Sequence, residues 1–218
     1  MRNGGPRVAV LFLAAGRIKT RIMVMKIYGD VVSGNCLKVK YTADFLEIPY
    51  AWVATDIMQG ESRTPEFLAI NPAGQVPVVQ LDDGRTLAQS NAIIQFLADG
   101  SDLLPADPFA RGQVNEWLFW EQYSHEPYVA VCRFAMLYLG KAREEREDWR
   151  VARGENALDF MDRSLAGKDW LAAGRFTLAD ISLIAYTRVA HEGGFDLGSR
   201  PNVRAWISRC EQQLGLAK

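Results

Sequence analysis

Apolar positions in residues 26–29 and 51–55 mark two short strands, and residues 35–47 between them place Cys36, Leu37, Val39, Phe45 and Leu46 on one helical face. Pro65 starts a second, short helix that ends before Asn71-Pro72, because a proline's missing N–H costs nothing in the first helical turn. Residues 78–81 and 86–88 read as strands around Asp82-Asp83-Gly84, where Asp-Gly supplies the positive φ that a tight hairpin needs. Ser90 then opens an apolar-periodic run through Ile93, Ile94 and Leu97, and its side chain is expected to cap that helix. The order is βαβ-α-ββα over residues 25–98. Gly100, Pro105 and Pro108 make 99–108 a linker, and 109–218 reads as helix throughout. Within it, residues 114–139 form a long helix or helix pair kinked at Pro127, with Trp117, Trp120, Tyr123, Tyr128 and Phe134 as aromatic surface. Thr177-Leu178-Ala179-Asp180 is a capping box: Thr177 caps a helix and Asp180 reaches back to its N–H, which makes Asp180 a folding residue.

Composition narrows the chemistry. A chain of 218 residues with 49% hydrophobic content can bury one large core or two small ones. A net charge of −1 gives no sign of nucleic-acid or anionic-membrane binding. Cys36, Cys132 and Cys210 are odd in number and widely spaced, which fits a reducing compartment and no metal cluster. With only His125 and His191, neither a histidine metal site nor a Ser-His-Asp triad is expected. Before Met25, the apolar run from Val8 to Ala15 is flanked by arginines and superficially resembles a short secretion signal, too short to span a bilayer. Residues 1–24 read instead as an N-terminal extension, expected to be disordered, upstream of a first strand at Met25.

The most informative stretch is 71–97. Gly74-Gln75-Val76-Pro77, followed thirteen residues after Gln75 by Ala88-Gln89-Ser90-Asn91-Ala92-Ile93, resembles the glutathione site of the cytosolic glutathione transferases. Thr177 to Ser182, T-L-A-D-I-S, is similar to the core helix of that family's C-terminal domain, so the resemblance runs from Met25 to about Leu214. It implies an α/β thioredoxin-like N-terminal domain followed by an all-α helical-bundle domain. It also implies a cis Val76–Pro77 peptide that presents the Val76 backbone to the cysteinyl part of glutathione, Gln89 and Ser90 at the γ-glutamyl end, and Gln75 towards the glycine carboxylate. Glutathione then serves as co-substrate without a prosthetic group, a hydrophobic electrophile is the second substrate, and the protein is a cytoplasmic homodimer. Other classes carry lysine and glutamate where Gln75 and Gln89 stand. Arg63 replaces the polar group that serine-type members often place near Ser62.

Glutathione attacks as a thiolate, and a thiol pKa near ~8.5 leaves little of it ionised at neutral pH. Lowering that pKa by about two units takes about 2.7 kcal/mol. One hydroxyl hydrogen bond to the anion, roughly 1.5–3 kcal/mol, plus a helix N-terminus, about 0.3–1 kcal/mol, is the right size. Ser33, beside Gly34 and three residues before Cys36, is similar to the serine position of theta- and delta-type transferases. Its competing reading is a helix cap. Tyr28 matches the catalytic tyrosine of other classes only with one residue inserted, Asn35 is a helper donor to the same sulfur, and Cys36 is the thiol-disulfide alternative. His125-Glu126 reads equally as pocket wall, dimer contact or surface. A non-catalytic transferase-like binding or assembly module shares the scaffold, as does a glutathione-dependent isomerase or dehalogenase.

Overall fold

The computed structural model describes residues 25–216; the N-terminal extension and its expected disorder lie outside the described residues. The first half contains β1 (Met25–Gly29), α1 (Gly34–Phe45), β2 (Tyr50–Ala54), α2 (Pro65–Ile70), β3 (Val78–Gln80), β4 (Thr86–Ala88) and α3 (Ser90–Leu97). The sheet order is β2-β1-β3-β4. β1 runs parallel to β2, with Ile27 opposite Trp52, and antiparallel to β3, with Ile27 opposite Val79. A parallel neighbour requires a crossover, and α1 supplies it. β3 and β4 close as a hairpin in which Gly84 takes φ +88° and Leu81 N–H donates to Arg85 C=O. This is the thioredoxin-like arrangement.

The second half is helical: α4 (Pro108–Trp120), α5 (Glu126–Leu137), α6 (Asp148–Ser164), α7 (Leu178–Thr187) and α8 (Pro201–Gln213). Asp107 caps α4 by accepting from Ala110 N–H at 2.8 Å, with Pro108 in the first turn. Every residue of α7 is buried, and it forms the axis of this half. One continuous core joins the halves, from Ile27, Val39 and Ile94 to Leu118, Ile181 and Trp206. The site therefore sits on a frame that neither half completes alone.

Three sequence expectations are corrected. Phe45 is exposed, while Lys38, Tyr41 and Thr42 join Cys36 and Val39 on the buried face of α1. The break after Trp120 is not made at Pro127 itself but by a π turn at Glu121–His125, with Pro127 in the opening turn of α5. His125 is none of the three surfaces expected of it: it is fully buried, its Nε2 3.1 Å from Thr187 Oγ1, and burial holds its pKa down to about 4. Among the aromatics, Trp117 and Trp120 pack on Phe160, whereas Tyr123 is exposed.

Candidate functional site

Ser33 occupies the N-cap position of α1, yet its side chain makes no capping bond. The first-turn N–H that a cap would have taken, that of Asn35, instead donates to the Tyr186 hydroxyl at 3.2 Å. Tyr186 reaches there from α7 because residue 34 is glycine: a Cβ would lie 2.6 Å from the Tyr186 ring. The Ser33 hydroxyl lies beside both the Tyr186 phenol and the Cys36 thiol. Burial raises the Tyr186 pKa, the nearby Glu126 carboxylate adds to this, and the contacts with Asn35 and Ser33 pull it down. Tyr186 is therefore a neutral phenol supporting the start of α1.

The other two thiol candidates are engaged or closed off. Tyr28 donates to Gln80 Oε1 at 3.1 Å and meets Phe67 edge-on. Cys36 is fully buried, and desolvation pushes its thiol up to about 11, so it is not a thiolate at neutral pH.

The second wall comes from 71–91. The Val76–Pro77 peptide is cis. Asn71 Nδ2 donates to Gln75 C=O at 2.7 Å and its Oδ1 accepts from Ala73 N–H, which holds the loop before it. Arg63 lies across this loop, donating to Ala73 C=O at 3.1 Å, while Gln75 is exposed beside it. Ser90 heads α3 but does not cap it, contrary to the sequence expectation: Gln89 holds the cap position, at φ +69° and ψ +111°, a strained conformation for a residue with a side chain. The Ser90 hydroxyl is thereby released from the helix end. It donates to Asn35 Oδ1 at 3.1 Å, joining the starts of α1 and α3. A hydroxyl has one proton, so holding a carboxylate means turning that proton away from Asn35.

Lys38, Glu121, Arg133 and Tyr138, which support this site, were missed in the sequence, whereas Glu126 carried a pocket wall among its three readings. Lys38 Nζ lies 2.8 Å from Asn35 Oδ1 and 2.7 Å from Glu121 Oε1, with both charged side chains fully buried. Glu126 accepts from Asn35 Nδ2 at 3.3 Å, and burial together with the Glu121 carboxylate raises its pKa. The one available signal was Lys38 itself, a lysine three residues after Asn35 on the face that also carries Cys36 and Val39. Arg133 Nη1 on α5 donates to Val32 C=O at 2.7 Å, and Tyr138, just past the end of α5, donates to the Asp30 carboxylate, clamping the loop that carries Ser33. Among the described residues no group of three or more His, Cys, Asp or Glu is placed to hold a metal ion. A cleft of about 540 Å³ around Asp102, Arg111 and Arg175 shares no residue with this site.

Fold and site together define a two-domain protein in which a thioredoxin-like half sets a cis-proline loop and the Ser33 hydroxyl beside a helical partner. The N-terminal domain model of glutathione S-transferases matches residues 32–99, and the corresponding C-terminal domain model matches residues 128–213. The chain belongs to the glutathione S-transferase family. It is 31% identical over 197 residues to glutathione S-transferase 3 of Zea mays, covering 84% of this chain and 86% of that protein. Among solved structures, the glutathione S-transferase of Pseudomonas fluorescens Pf-5 is 49% identical, with a TM-score of 0.83 over 86% of this chain and 94% of that one. A possible glutathione S-transferase from Rhodopseudomonas palustris is 40% identical, with a TM-score of 0.85 over 89% and 97%.

Proposed function

We propose that this protein binds glutathione along the 75–77 edge and the start of α3 and activates its thiol with the Ser33 hydroxyl for attack on a hydrophobic electrophile. The observation that carries the reading is the Ser33 hydroxyl at the head of α1, released from capping duty while Tyr28 is tied to Gln80 and Cys36 is buried. A hydroxyl donor and a helix N-terminus act on a thiolate in the same direction. In this reading Val76 offers its backbone to the cysteinyl part, and Ser90 and Gln89 take the γ-glutamyl end. Gln75 and Arg63 face the glycine carboxylate, and Asn35 is the helper. The electrophile approaches from the side where Val31, Val32, Phe134 and Leu137 are exposed, beside the loop clamped by Arg133 and Tyr138. A glutathione column followed by a conjugation assay with a generic aryl halide tests the reading. A protein neither retained nor active would overturn it.

Ser90→Ala is expected to weaken glutathione binding by about 10- to 150-fold, the loss of one hydrogen bond to a charged group. Calorimetry reads this directly, and an unchanged Kd would remove Ser90 from the site.

The protein is also expected to be a homodimer. Phe109 and Phe119 on α4 and Tyr123 in the π turn are three-quarters or more exposed, a costly apolar surface in a monomer. Sedimentation should give about twice the chain mass of 24.4 kDa. A single species at the chain mass would refute the assembly. Cys36, Cys132 and Cys210 are free, as a reducing cytoplasm requires, and no helix among the described residues is long and apolar enough to cross a membrane.

A further inference from the structure

Two fully buried charges, Lys38 and Glu121, stand directly behind the proposed glutathione site. For stability alone an apolar pair of similar size serves as well or better, because desolvating two ions offsets most of their attraction. What an apolar pair lacks is direction. Lys38 Nζ is only a donor, placed between Glu121 Oε1 at 2.7 Å, Asn35 Oδ1 at 2.8 Å and the Tyr186 ring at 5.7 Å from its centroid. Glu121 is itself held at its other oxygen by Asn91 Nδ2 at 3.2 Å and Gln122 Nε2 at 2.7 Å, and Ser182 fixes Asn91 by donating to its Oδ1 at 2.8 Å. The ammonium therefore cannot wander. A carboxamide can present either end to a neighbour, but an Asn35 turned the other way would set its NH₂ against this ammonium and its oxygen against the Glu126 carboxylate.

We propose that the buried Lys38–Glu121 pair positions Asn35, keeping its oxygen inward and its NH₂ towards Glu126 and the thiol site. This inference rests on the glutathione reading above and adds a positioning residue to it. Lys38 matters most once glutathione is bound. When the γ-glutamyl end draws the Ser90 proton away, Asn35 Oδ1 loses one of its two donors, and Lys38 is the one that stays. The pair touches no substrate. It acts through Asn35, within reach of the other groups that face Lys38, namely Glu126, His125 and Tyr186.

The test is the double variant Lys38→Met/Glu121→Gln, which removes both charges together, so that Glu121 is not left as a buried carboxylate without its cation and Glu126 loses the attraction of Lys38 and the repulsion of Glu121 at once. In the parent without ligand, the Asn35 side-chain amide protons should give two resolved, slowly exchanging ¹⁵N-correlated signals. In the variant they should collapse towards solvent-exposed values. With glutathione bound, the thiolate absorbance near 240 nm should titrate at higher pH in the variant, and kcat/KM near neutral pH should fall about ten-fold, the loss of one oriented hydrogen bond. In an Asn35→Ala background the same two changes should have no further effect, because a pair that acts only through Asn35 has nothing left to position. Fast-exchanging Asn35 amide protons in the parent would overturn the proposal even if the variant failed to fold. Kinetic losses that simply add to those of Asn35→Ala would also overturn it. A parent that binds no glutathione would sink the proposed function, while the amide signals would still decide whether Lys38 positions Asn35.

Discussion

Ser33→Ala should leave glutathione affinity nearly unchanged while slowing conjugation by about 10- to 150-fold near neutral pH, the loss of one charge-assisted hydrogen bond of roughly 1.5–3 kcal/mol. The folded protein should tolerate the change within about 0.5 kcal/mol, because no capping bond is lost with the hydroxyl. That separation of activity from stability is itself diagnostic. A serine that merely capped α1 would cost about 0.5–2 kcal/mol of stability on removal. The pH dependence gives a second reading: the bound thiol's apparent pKa should rise in the variant, so the rate deficit should shrink at alkaline pH, where the thiol ionises unaided. A deficit constant across pH would point to positioning rather than activation. Full activity in Ser33→Ala with loss in Tyr28→Phe or Cys36→Ser would transfer the role to one of those residues, against the Gln80 bond of the first and the burial of the second.

Asp180→Ala is expected to destabilise the protein by about 3–5 kcal/mol at pH 7, with a fall in Tm of about 10 °C or more. The Asp180 carboxylate lies at the centre of the helical half. Its Oδ1 accepts from Leu171 N–H at 3.1 Å and from the Trp206 indole at 2.8 Å, and its Oδ2 accepts from Thr177 N–H at 3.0 Å and from Thr177 Oγ1 at 3.3 Å. Alanine leaves these buried donors without their acceptor, and each such group costs about 1–3 kcal/mol unless the structure relaxes around it. Burial raises the carboxyl from its ordinary 3.8 to about 6, against the pull of the donors. The folded state therefore binds more protons than the unfolded chain between these two values. The stabilisation from this group is complete below 3.8 and is lost as pH rises through 6. The gap between parent and Asp180→Ala should thus widen as pH falls from 7 to 5, which denaturant unfolding at the two values measures. A gap that narrows on acidification would show that the four donors outweigh burial.

Local order was legible in the chain because local physics sets it. Asp82-Asp83-Gly84 makes a turn wherever it occurs between strands, Pro65 and Pro108 start helices because only a first turn tolerates them, and Thr177 with Asp180 closes a capping box within four residues. The 74–77 and 88–93 motifs lie on one short βα segment, so their spacing carried the resemblance to a glutathione site without any long-range contact. Ser90 shows the limit of such reasoning. Serine at a helix start is a cap by every local rule, yet an acceptor 55 positions back, Asn35, takes its proton, and Gln89 assumes a strained backbone in the cap position. His125 and Glu126 were adjacent polar residues with three open readings; the π turn buries the first against Thr187 and bonds the second to Asn35. Lys38 and Glu121 lie more than eighty residues apart, and no periodicity announces a buried ion pair between the first helix of one half and the π turn of the other. The sequence by itself determined the elements, their order and the motifs that carry the resemblance to a glutathione site, because these depend on neighbours along the chain. Only the tertiary structure decided that the Ser33 hydroxyl turns to Tyr186 and Cys36 rather than to its helix end, that Tyr28 bonds a strand residue and that Lys38 and Glu121 are buried against each other, because hydrogen-bond partners are chosen in space, by whichever group burial brings close.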